Sequence, residues 1–190
     1  MPRLGTNDLI ASVAALPELG DHTDRVASLA VGLLGQLPEN SMRRREQILL
    51  AARIHDLGKL AIPTAILSKP AALTATEYAI VQRHSAISDA VARSTGVDPE
   101  VCLAIRHHHE WWDGNGYPDR LSGDAIPLLA RIIAIADAFD AMISDRPYRN
   151  AMSVEAARRE LERGSGSQFD PALVPYVGVV LATSSATGGR

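Results

Sequence analysis

The sequence predicts an all-α fold, a single compact helical bundle of roughly seven helices. Hydrophobic residues make up 46% of the chain but aromatic residues only 4%, so the core must consist mainly of Leu, Ile, Val and Ala side chains, which suits packed helices. Apolar residues recur at helical spacing, and no segment alternates as a half-buried strand does. The chain length of 190 residues indicates one domain. We place this domain at 1–183, followed by a disordered tail at 184–190.

Capping residues and prolines delimit the predicted helices of the first third of the chain. A polar residue, Thr6 or Asn7, can cap the first helix, and prolines bound a second helix over 18–37. Ser41 begins a third helix, whose apolar stretch runs into a His-Asp-Leu-Gly segment that ends at Gly58. A glycine at this position is typical of a helix C-terminus.

Stronger start signals mark the later helices. The segment TATE at 74–77 is a capping-box pattern. Asp98 and Asp170 are each followed by a proline, which combines an N-cap residue with a proline at the first helical position. The predicted segments after Gly58 are a loop at 59–73, helices at 74–94 and from 98, a loop at 113–126, helices at 127–144 and 153–163, and a last helix from 170.

Composition excludes several classes of function. A formal net charge of −3 argues against binding to polymeric nucleic acid, which usually requires a basic excess. The single cysteine, Cys102, excludes a disulfide framework or a thiolate metal cage, and we expect it to be a small buried residue on a helix. We expect no signal peptide, and we find no apolar run of about 18 residues. These features predict a cytoplasmic protein without a membrane span.

Several polar side chains are out of place in a helical core. Asp137 follows the apolar run 132–136, where an unpaired carboxylate would be costly, and Asp140, one turn later, can share its face. His55 and Asp56 directly follow another apolar stretch. For this second pair, a capping role at a helix end is the alternative to a functional one.

The histidines allow more than one interpretation. Glu18 and His22 are four residues apart and therefore share one helix face, where they can either converge on one ion or form a solvated surface pair. His84 alone predicts nothing. Three successive residues sweep about 200° around a helix, so at most two of the histidines at 107–109 can face one site.

A divalent metal centre would account for all of these residues together. Imidazole and carboxylate groups recur on five predicted helices within apolar sequence, and binding a metal is a sufficient physical reason to bury them. Nitrogen and oxygen ligands without thiolate suit Fe, Mn or Zn. The candidates outnumber the three or four protein ligands of one ion, which indicates a centre with more than one ion.

The order of these residues resembles the HD superfamily of metal-dependent phosphohydrolases. The segment HHE at 108–110, followed by DGNGYP at 113–118, is similar to the signature of HD-GYP domains. The resemblance covers about residues 18–180 and implies a bundle of the HD-domain type. Further matching segments are HDLGKLAIP at 55–63, KPAALTATE at 69–77, ARIIAIADAFDAMISDRPYR at 130–149 and GSGSQFDP at 164–171.

The resemblance implies a specific activity. HD-GYP proteins hydrolyse bacterial cyclic dinucleotides, chiefly cyclic di-GMP, to linear pGpG and on to GMP, so we expect a metal-dependent phosphodiesterase in second-messenger signalling. Two alternatives stay open: hydrolysis of another nucleotide such as a mixed cyclic dinucleotide, and a non-catalytic module that binds the dinucleotide or docks a partner. Candidate protein partners are a diguanylate cyclase, an upstream sensor protein and a second copy of the chain in a homodimer.

The resemblance also implies a ligand set for two or three ions, with Fe or Mn as the first choice and Zn as an alternative. Asp56 would bridge two ions, and Glu18 would serve a third ion, whereas His107 falls outside the pattern. The implied ligands are Glu18, His22, His55, Asp56, His84, His108, His109 and Asp137.

Further residues are implied in catalysis and substrate binding. Two ions can activate a water molecule and hold a phosphate ester in line, with Asp56 and Lys59 as catalytic residues. Lys59 would stabilise charge on the phosphate or help to protonate the leaving group. Arg146 and Arg149 would bind phosphates, with a solvated turn as the alternative for this pair.

The loop at 113–118 is expected to form the substrate side of the site. Its two Asp-Gly and Asn-Gly pairs permit positive φ angles. We expect Tyr117 to stack on or hydrogen-bond to a guanine, and we include Asp113 among the substrate-binding residues. At least one of Trp111 and Trp112 is expected to anchor the core. Ser88 stands where the family pattern usually has a glycine.

Overall fold

The structure is a computed structural model that describes residues 5–14, 17–145 and 150–187, apart from the side chains of residues 14, 17–19 and 184–187. These residues form helices and no β-strand, which confirms the all-α prediction. The α-helices in chain order are α1 (Thr6–Ala14), α2 (Pro17–Leu34), α3 (Met42–Ile54), α4 (Thr64–Leu67), α5 (Ala75–Ser94), α6 (Pro99–His107), α7 (Leu128–Ile143), α8 (Val154–Arg163) and α9 (Tyr176–Thr187). Two 3-10 helices lie at Leu57–Ala61 and Gly123–Ala125.

Side-chain caps begin four of the described helices where the sequence predicts them. The capping box is complete, because Thr74 accepts from the backbone N–H of Glu77 while the Glu77 carboxylate accepts from the backbone N–H of Thr74. Ser41, Asp98 and Ser153 each accept a hydrogen bond from the first turn of the helix that follows. Local sequence alone therefore sets these starts.

The last helix begins later than predicted. Asp170 caps a turn rather than a helix: its carboxylate accepts from the N–H of Ala172 at 2.8 Å and from Arg131 at 2.7 Å. Turns follow, and α9 begins only at Tyr176. α9 extends to Thr187, four residues into the predicted tail. Residues 188–190 lie outside the described part, so the domain boundary at 183 stays a prediction.

The packing of the helices brings five chain segments to one centre. α2 packs against α3 and α7, and α6 packs against α3, α5 and α7. The 3-10 helix Leu57–Ala61 packs against α5. A continuous aliphatic core joins these elements, with Ile48, Ile54, Ile105, Ile132 and Leu161 among its fully buried members. Cys102 is buried as predicted. Over the described residues, no helix is both long and apolar enough to cross a membrane.

Gly58 has a different role from the predicted helix end. α3 ends at Ile54, and Gly58 lies in the 3-10 helix that follows, where its N–H donates to the Ser88 hydroxyl at 2.7 Å. A Cβ on Gly58 would lie 2.1 Å from the carbonyl oxygen of His84. The absence of a side chain therefore allows the segment after α3 to approach α5, which places Asp56 beside His84.

We expect Gly58→Ala to lower the free energy of unfolding by about 1–3 kcal/mol or more, because the atom that the new methyl group meets belongs to the backbone of α5 and cannot rotate away. Denaturant unfolding followed by circular dichroism measures this change.

Gly178→Ala is the matched control. The nearest atom to a Cβ at Gly178 is 3.9 Å away, and an alanine within α9 should be neutral or stabilise by up to about 1 kcal/mol. Equal unfolding midpoints for Gly58→Ala and the unmodified protein would contradict the close-approach argument.

Candidate metal centre

The structure brings seven of the eight predicted ligand side chains together. They lie on α2, α5 and α7 and directly after α3 and α6, so the ends of two helices meet the middles of three others. The side chains are those of His22, His55, Asp56, His84, His108, His109 and Asp137.

Asp56 lies at the middle of this cluster and is only 1% exposed. Its Oδ2 atom is 3.4 Å from Nε2 of His55 and 3.8 Å from Nε2 of His22. Its Oδ1 atom is 3.3 Å from Nε2 of His84. The two oxygens of one carboxylate thus face different histidines, which is the arrangement required of a ligand that bridges two ions.

Two groups of potential ligands adjoin Asp56. Within each group, one ligand atom from every member lies within 4.8 Å of the others. His22 and Asp137 approach within 3.2 Å, and His84 and His108 approach within 3.4 Å. The first group is His22, His55 and Asp137, and the second is His84, His108 and His109.

Backbone carbonyls orient three of the imidazoles. Nδ1 of His55 and of His84 donates at 2.7 Å, and Nδ1 of His108 at 2.6 Å, to the carbonyl oxygen three residues earlier. This hydrogen bond fixes the tautomer and leaves Nε2 without a proton, facing the cluster. His55 and His108 directly follow α3 and α6, where helix carbonyls lack intrahelical partners. Nδ1 of His55 therefore has the capping role, and Nε2 is the nitrogen available to a metal.

A carboxylate orients His22 instead. Nδ1 of His22 donates to Oδ2 of Asp140 at 2.7 Å, and Arg25 donates to Oδ1 of Asp140 at 2.5 Å. Asp140 does share a helix face with Asp137, as the sequence suggests. Its carboxylate, however, contacts Nδ1 of His22, whereas Nε2 faces the cluster. A carboxylate behind a ligating imidazole is a frequent arrangement in metal sites.

The chemistry of the cluster fits divalent cations. Nε2 of His55 and Oδ1 of Asp56 are buried and have no hydrogen-bond partner among the described residues. Buried polar atoms of this kind are costly when unsatisfied. Cations bound to imidazole nitrogen and carboxylate oxygen would satisfy both, and this donor set suits Fe, Mn or Zn.

A cavity of about 290 Å³ opens beside the cluster. Its walls include Lys59, Tyr117 and Gln168 in addition to His109 and Asp137. The Tyr117 ring lies 4.9 Å from the His109 ring, so the loop predicted to form the substrate side does border the cluster.

The loop itself differs from the prediction in two respects. Gly114 has a positive φ of 85°, but Gly116 is required for close approach, because a Cβ there would lie 2.2 Å from the backbone nitrogen of Trp111. The expected tryptophan anchor in the core is wrong. Trp111 is 39% exposed, and the half-buried Trp112 lies 5.5 Å from the guanidinium of Arg131.

Four predicted site residues are not placed in the cluster. The side chain of Glu18 lies outside the described residues, although its backbone is part of α2. Arg146 and Arg149 also lie outside the described residues. Asp113 is exposed, and its carboxylate accepts from the N–H of Asn115 at 3.0 Å, so it closes a turn of the loop.

Comparison with known families identifies the domain. Residues 7–173 match the HD domain family. The chain belongs to the HD domain family. The assignment made from the sequence motifs is therefore confirmed, and HD-domain phosphohydrolases are metal-dependent.

Curated relatives share about two residues in five with this HD domain. The cyclic di-GMP phosphodiesterase response regulator RpfG of Xanthomonas campestris is 42% identical over 157 residues, which cover 81% of this chain and 40% of the relative. The 3'3'-cGAMP-specific phosphodiesterase 2 of Vibrio cholerae is 41% identical over 162 residues, which cover 83% of this chain and 30% of the relative. The chain thus spans well under half the length of either relative.

Solved structures share the fold of this HD domain. A cyclic GMP-AMP-specific phosphodiesterase of Vibrio cholerae (V-cGAP3) has a TM-score of 0.69 at 22% identity, covering 93% of this chain and 47% of that chain. An HDG"Y"P protein from Bdellovibrio bacteriovorus has a TM-score of 0.71 at 18% identity, covering 91% of this chain and 56% of that chain. At these identities the likeness concerns the fold alone.

The electrostatics of the HD cluster keep Asp56 and three of the imidazoles in the protonation states that a metal requires. Burial by itself would raise the pKa of Asp56, but the Lys59 ammonium at 2.5 Å and the neighbouring imidazoles hold it well below its usual value. Burial lowers the pKa of His84 and His108, and it lowers that of His109 to about 3. The carboxylate is therefore ionised and these imidazoles are neutral at physiological pH.

His22 and Asp137 form an ion pair within the cluster. Burial lowers the pKa of His22, but hydrogen bonds from its imidazole to the carboxylates of Asp137 and Asp140 outweigh this effect and raise the pKa to about 9. The pKa of Asp137 lies far below its usual value, since the interaction with His22 outweighs the opposing effect of burial. A cation that binds Nε2 of His22 must therefore displace a proton.

Sequence reasoning missed three residues around the HD cavity. Val81 borders it one turn before His84 on α5, a spacing that could have indicated a shared face. Tyr78 is half exposed and its ring lies edge-on at 6.5 Å from Tyr117. Gln168 belongs to the GSGSQFDP segment that supported the family resemblance, but nothing in the sequence alone indicated that it borders the cavity.

We expect Asp140→Asn to weaken binding of Mn²⁺ by about 10- to 100-fold, because an outer carboxylate that orients a ligating imidazole typically has an effect of this size. Calorimetric titration of metal-depleted protein measures this affinity.

Asp24→Asn is the matched control, because Asp24 is an exposed aspartate whose arginine partner, Arg53, lies 3.1 Å away. Unchanged Mn²⁺ affinity in a folded Asp140→Asn variant would exclude an orienting role for Asp140.

Proposed function

We propose that this HD domain is a metal-dependent phosphodiesterase that hydrolyses a cyclic dinucleotide, cyclic di-GMP in the first place, to pGpG or GMP. The observation that carries the proposal is the buried carboxylate of Asp56, whose two oxygens face two groups of imidazole and carboxylate ligands beside an open cavity. Relatives named for hydrolysis of cyclic dinucleotides, with about 40% identity, support the substrate class.

The proposed metal ligands are those implied by the sequence resemblance. In this proposal Asp56 would help to hold two ions, and Glu18 would help to hold a third. The first choice of metal is Fe or Mn, since these ions accept mixed nitrogen and oxygen ligands with open positions, and Zn is the alternative. The proposed ligands are Glu18, His22, His55, Asp56, His84, His108, His109 and Asp137.

Residues of the chain have distinct tasks in the proposed reaction. Bound divalent ions supply Lewis acidity, which activates water and withdraws charge from the phosphodiester. The Lys59 ammonium lies 2.5 Å from Oδ2 of Asp56 and borders the cavity, so it can donate to a phosphate oxygen or to the departing 3′ oxygen. Burial raises the pKa of Tyr117 above its usual value. The phenol therefore keeps its proton and can donate a hydrogen bond to a guanine of the substrate.

Two adjoining cavities offer space for the substrate. The cavity beside the ligands has a volume of about 290 Å³, and a neighbouring cavity has a volume of about 540 Å³. Ala138 and Gln168 border both, while Met142, Met152 and Phe169 line the larger one. We place the scissile phosphodiester beside Lys59 and one nucleoside in the larger cavity. Arg146 and Arg149 remain the proposed phosphate contacts, and Asp113 remains a proposed contact at the loop.

A mixed cyclic dinucleotide is the second candidate substrate. The relative from Vibrio cholerae that is named 3'3'-cGAMP-specific is 41% identical, which is almost as similar as the relative named for cyclic di-GMP. The metal centre would act on the phosphodiester linkage, which all these molecules share. Selectivity between cyclic dinucleotides must therefore depend on the cavity walls. The cytoplasm as the place of action, and a diguanylate cyclase, a sensor protein or a second copy as partner, are proposals from the family resemblance.

We expect protein purified without oxygen and loaded with Fe²⁺ or Mn²⁺ to hydrolyse cyclic di-GMP, and Asp56→Asn to reduce kcat by about 10³-fold or more. Loss of the proposed bridging ligand should remove several kcal/mol of transition-state stabilisation. Chromatographic product analysis with cyclic di-GMP, 3′3′-cGAMP and pGpG as substrates measures the activity and its selectivity. Binding without turnover of any substrate, with either metal, would establish the non-catalytic module instead.

We expect Lys59→Met to reduce kcat by about 10²- to 10³-fold while the metal content stays unchanged, because the ammonium acts on charge that develops on the substrate. Steady-state kinetics together with elemental analysis separate this effect from metal loss. Lys69→Met is the matched control, since Lys69 pairs with Glu77 at 2.6 Å, away from the cluster. A decrease in metal content alone would show that Lys59 supports the ligand Asp56 rather than the reaction.

A further inference from the structure

A further group of potential metal ligands lies at the base of the loop that carries Tyr117. His107 is the last residue of α6, Glu110 begins the loop and Asp119 ends it. One ligand atom from each lies within 4.8 Å of the other two. None of the three residues belongs to the two groups around Asp56.

Two polar atoms of this group are buried without partners. His107 is 6% exposed and Glu110 is 3% exposed. Nδ1 of His107 and Oε2 of Glu110 have no hydrogen-bond partner among the described residues. Buried polar groups in folded proteins are nearly always satisfied, so these two atoms require an explanation.

The distances within the group suit a bound ion better than direct hydrogen bonds. Nδ1 of His107 lies 3.6 Å from Oε1 of Glu110 and 3.6 Å from Oδ2 of Asp119. Hydrogen bonds from nitrogen to oxygen usually span about 2.7–3.2 Å. Ligand atoms at about 2.0–2.2 Å from a tetrahedral zinc ion lie roughly 3.3–3.6 Å from one another.

The surroundings hold the two carboxylates in place. Oε1 of Glu110 accepts from the backbone N–H of Asp119 at 2.7 Å. Arg106 donates to both oxygens of Asp119, at 2.7 and 2.9 Å. Arg106 offsets one negative charge of the group and leaves the other available to a cation. Carboxylates that bind metals commonly receive such hydrogen bonds from behind.

We propose that His107, Glu110 and Asp119 bind one zinc ion, which fastens the two ends of the loop at 110–119 to the end of α6. One imidazole nitrogen, two carboxylate oxygens and a water molecule would give zinc four ligands, and the protein atoms are of types that zinc binds. Glu110 also borders the 290 Å³ cavity. The ion would therefore lie behind the cavity wall that carries Tyr117 and would support that wall.

The number of zinc ions bound per chain tests this proposal without any measurement of activity. Metal-depleted full-length protein is equilibrated with Zn²⁺ by dialysis, and bound zinc is counted by elemental mass spectrometry. We expect Asp119→Asn and Glu110→Gln each to bind one zinc ion fewer per chain than the unmodified protein.

Asp124→Asn is the matched control. Asp124 is an exposed aspartate outside the group, and like Asp119 it pairs with an arginine, Arg131, at 3.1 Å. This variant should bind as much zinc as the unmodified protein. Equal zinc counts in all four proteins would overturn the proposal.

A measurement on the unmodified protein decides the matter if either variant fails to fold by circular dichroism. Histidine ¹⁵N resonances are recorded during the zinc titration, with His107→Gln used only to assign the His107 signal. A zinc-dependent change of the His107 Nδ1 resonance supports the site. A His107 signal that zinc leaves unchanged overturns it.

Discussion

The fold depends on the complete burial of one negative charge. Asp56 is 1% exposed and surrounded by helices, so its ionised form is stable only if positive charge is supplied at short range. Lys59 supplies part of this charge from the 3-10 helix that begins directly after Asp56. Burial keeps the neighbouring imidazoles of His84 and His108 neutral, which leaves room for cations. The same burial that makes the carboxylate costly also makes it a strong metal ligand.

The ends of two helices orient histidines of the proposed metal centre. His55 and His108 directly follow α3 and α6, and each donates Nδ1 to a carbonyl that the helix leaves unsatisfied. This single hydrogen bond completes the helix and turns Nε2 towards the centre. Gly58 then lets the segment after α3 reach α5, where His84 is oriented in the same way. Rigid elements therefore hold every described ligand.

The residues proposed to contact the substrate have a different structural origin. The ligands lie on or beside core helices, whereas Tyr117 and Gln168 lie in loops that are pinned to each other through backbone hydrogen bonds around Trp112 and Asp113. Loops tolerate substitution more readily than packed helices. In the proposed function, this division would let the residues around the substrate vary while the metal centre stays the same.

The sequence by itself determined the helical class and most helix starts, because capping signals are local, and its resemblance to HD-GYP domains implied the set of residues that converge on Asp56. It did not reveal the contact of Asp140 with His22, which are 118 residues apart, or the role of Gly58. It also misjudged Asp170, which pairs with Arg131 instead of capping a helix. These features depend on which distant segments pack together, and only the tertiary structure decides that.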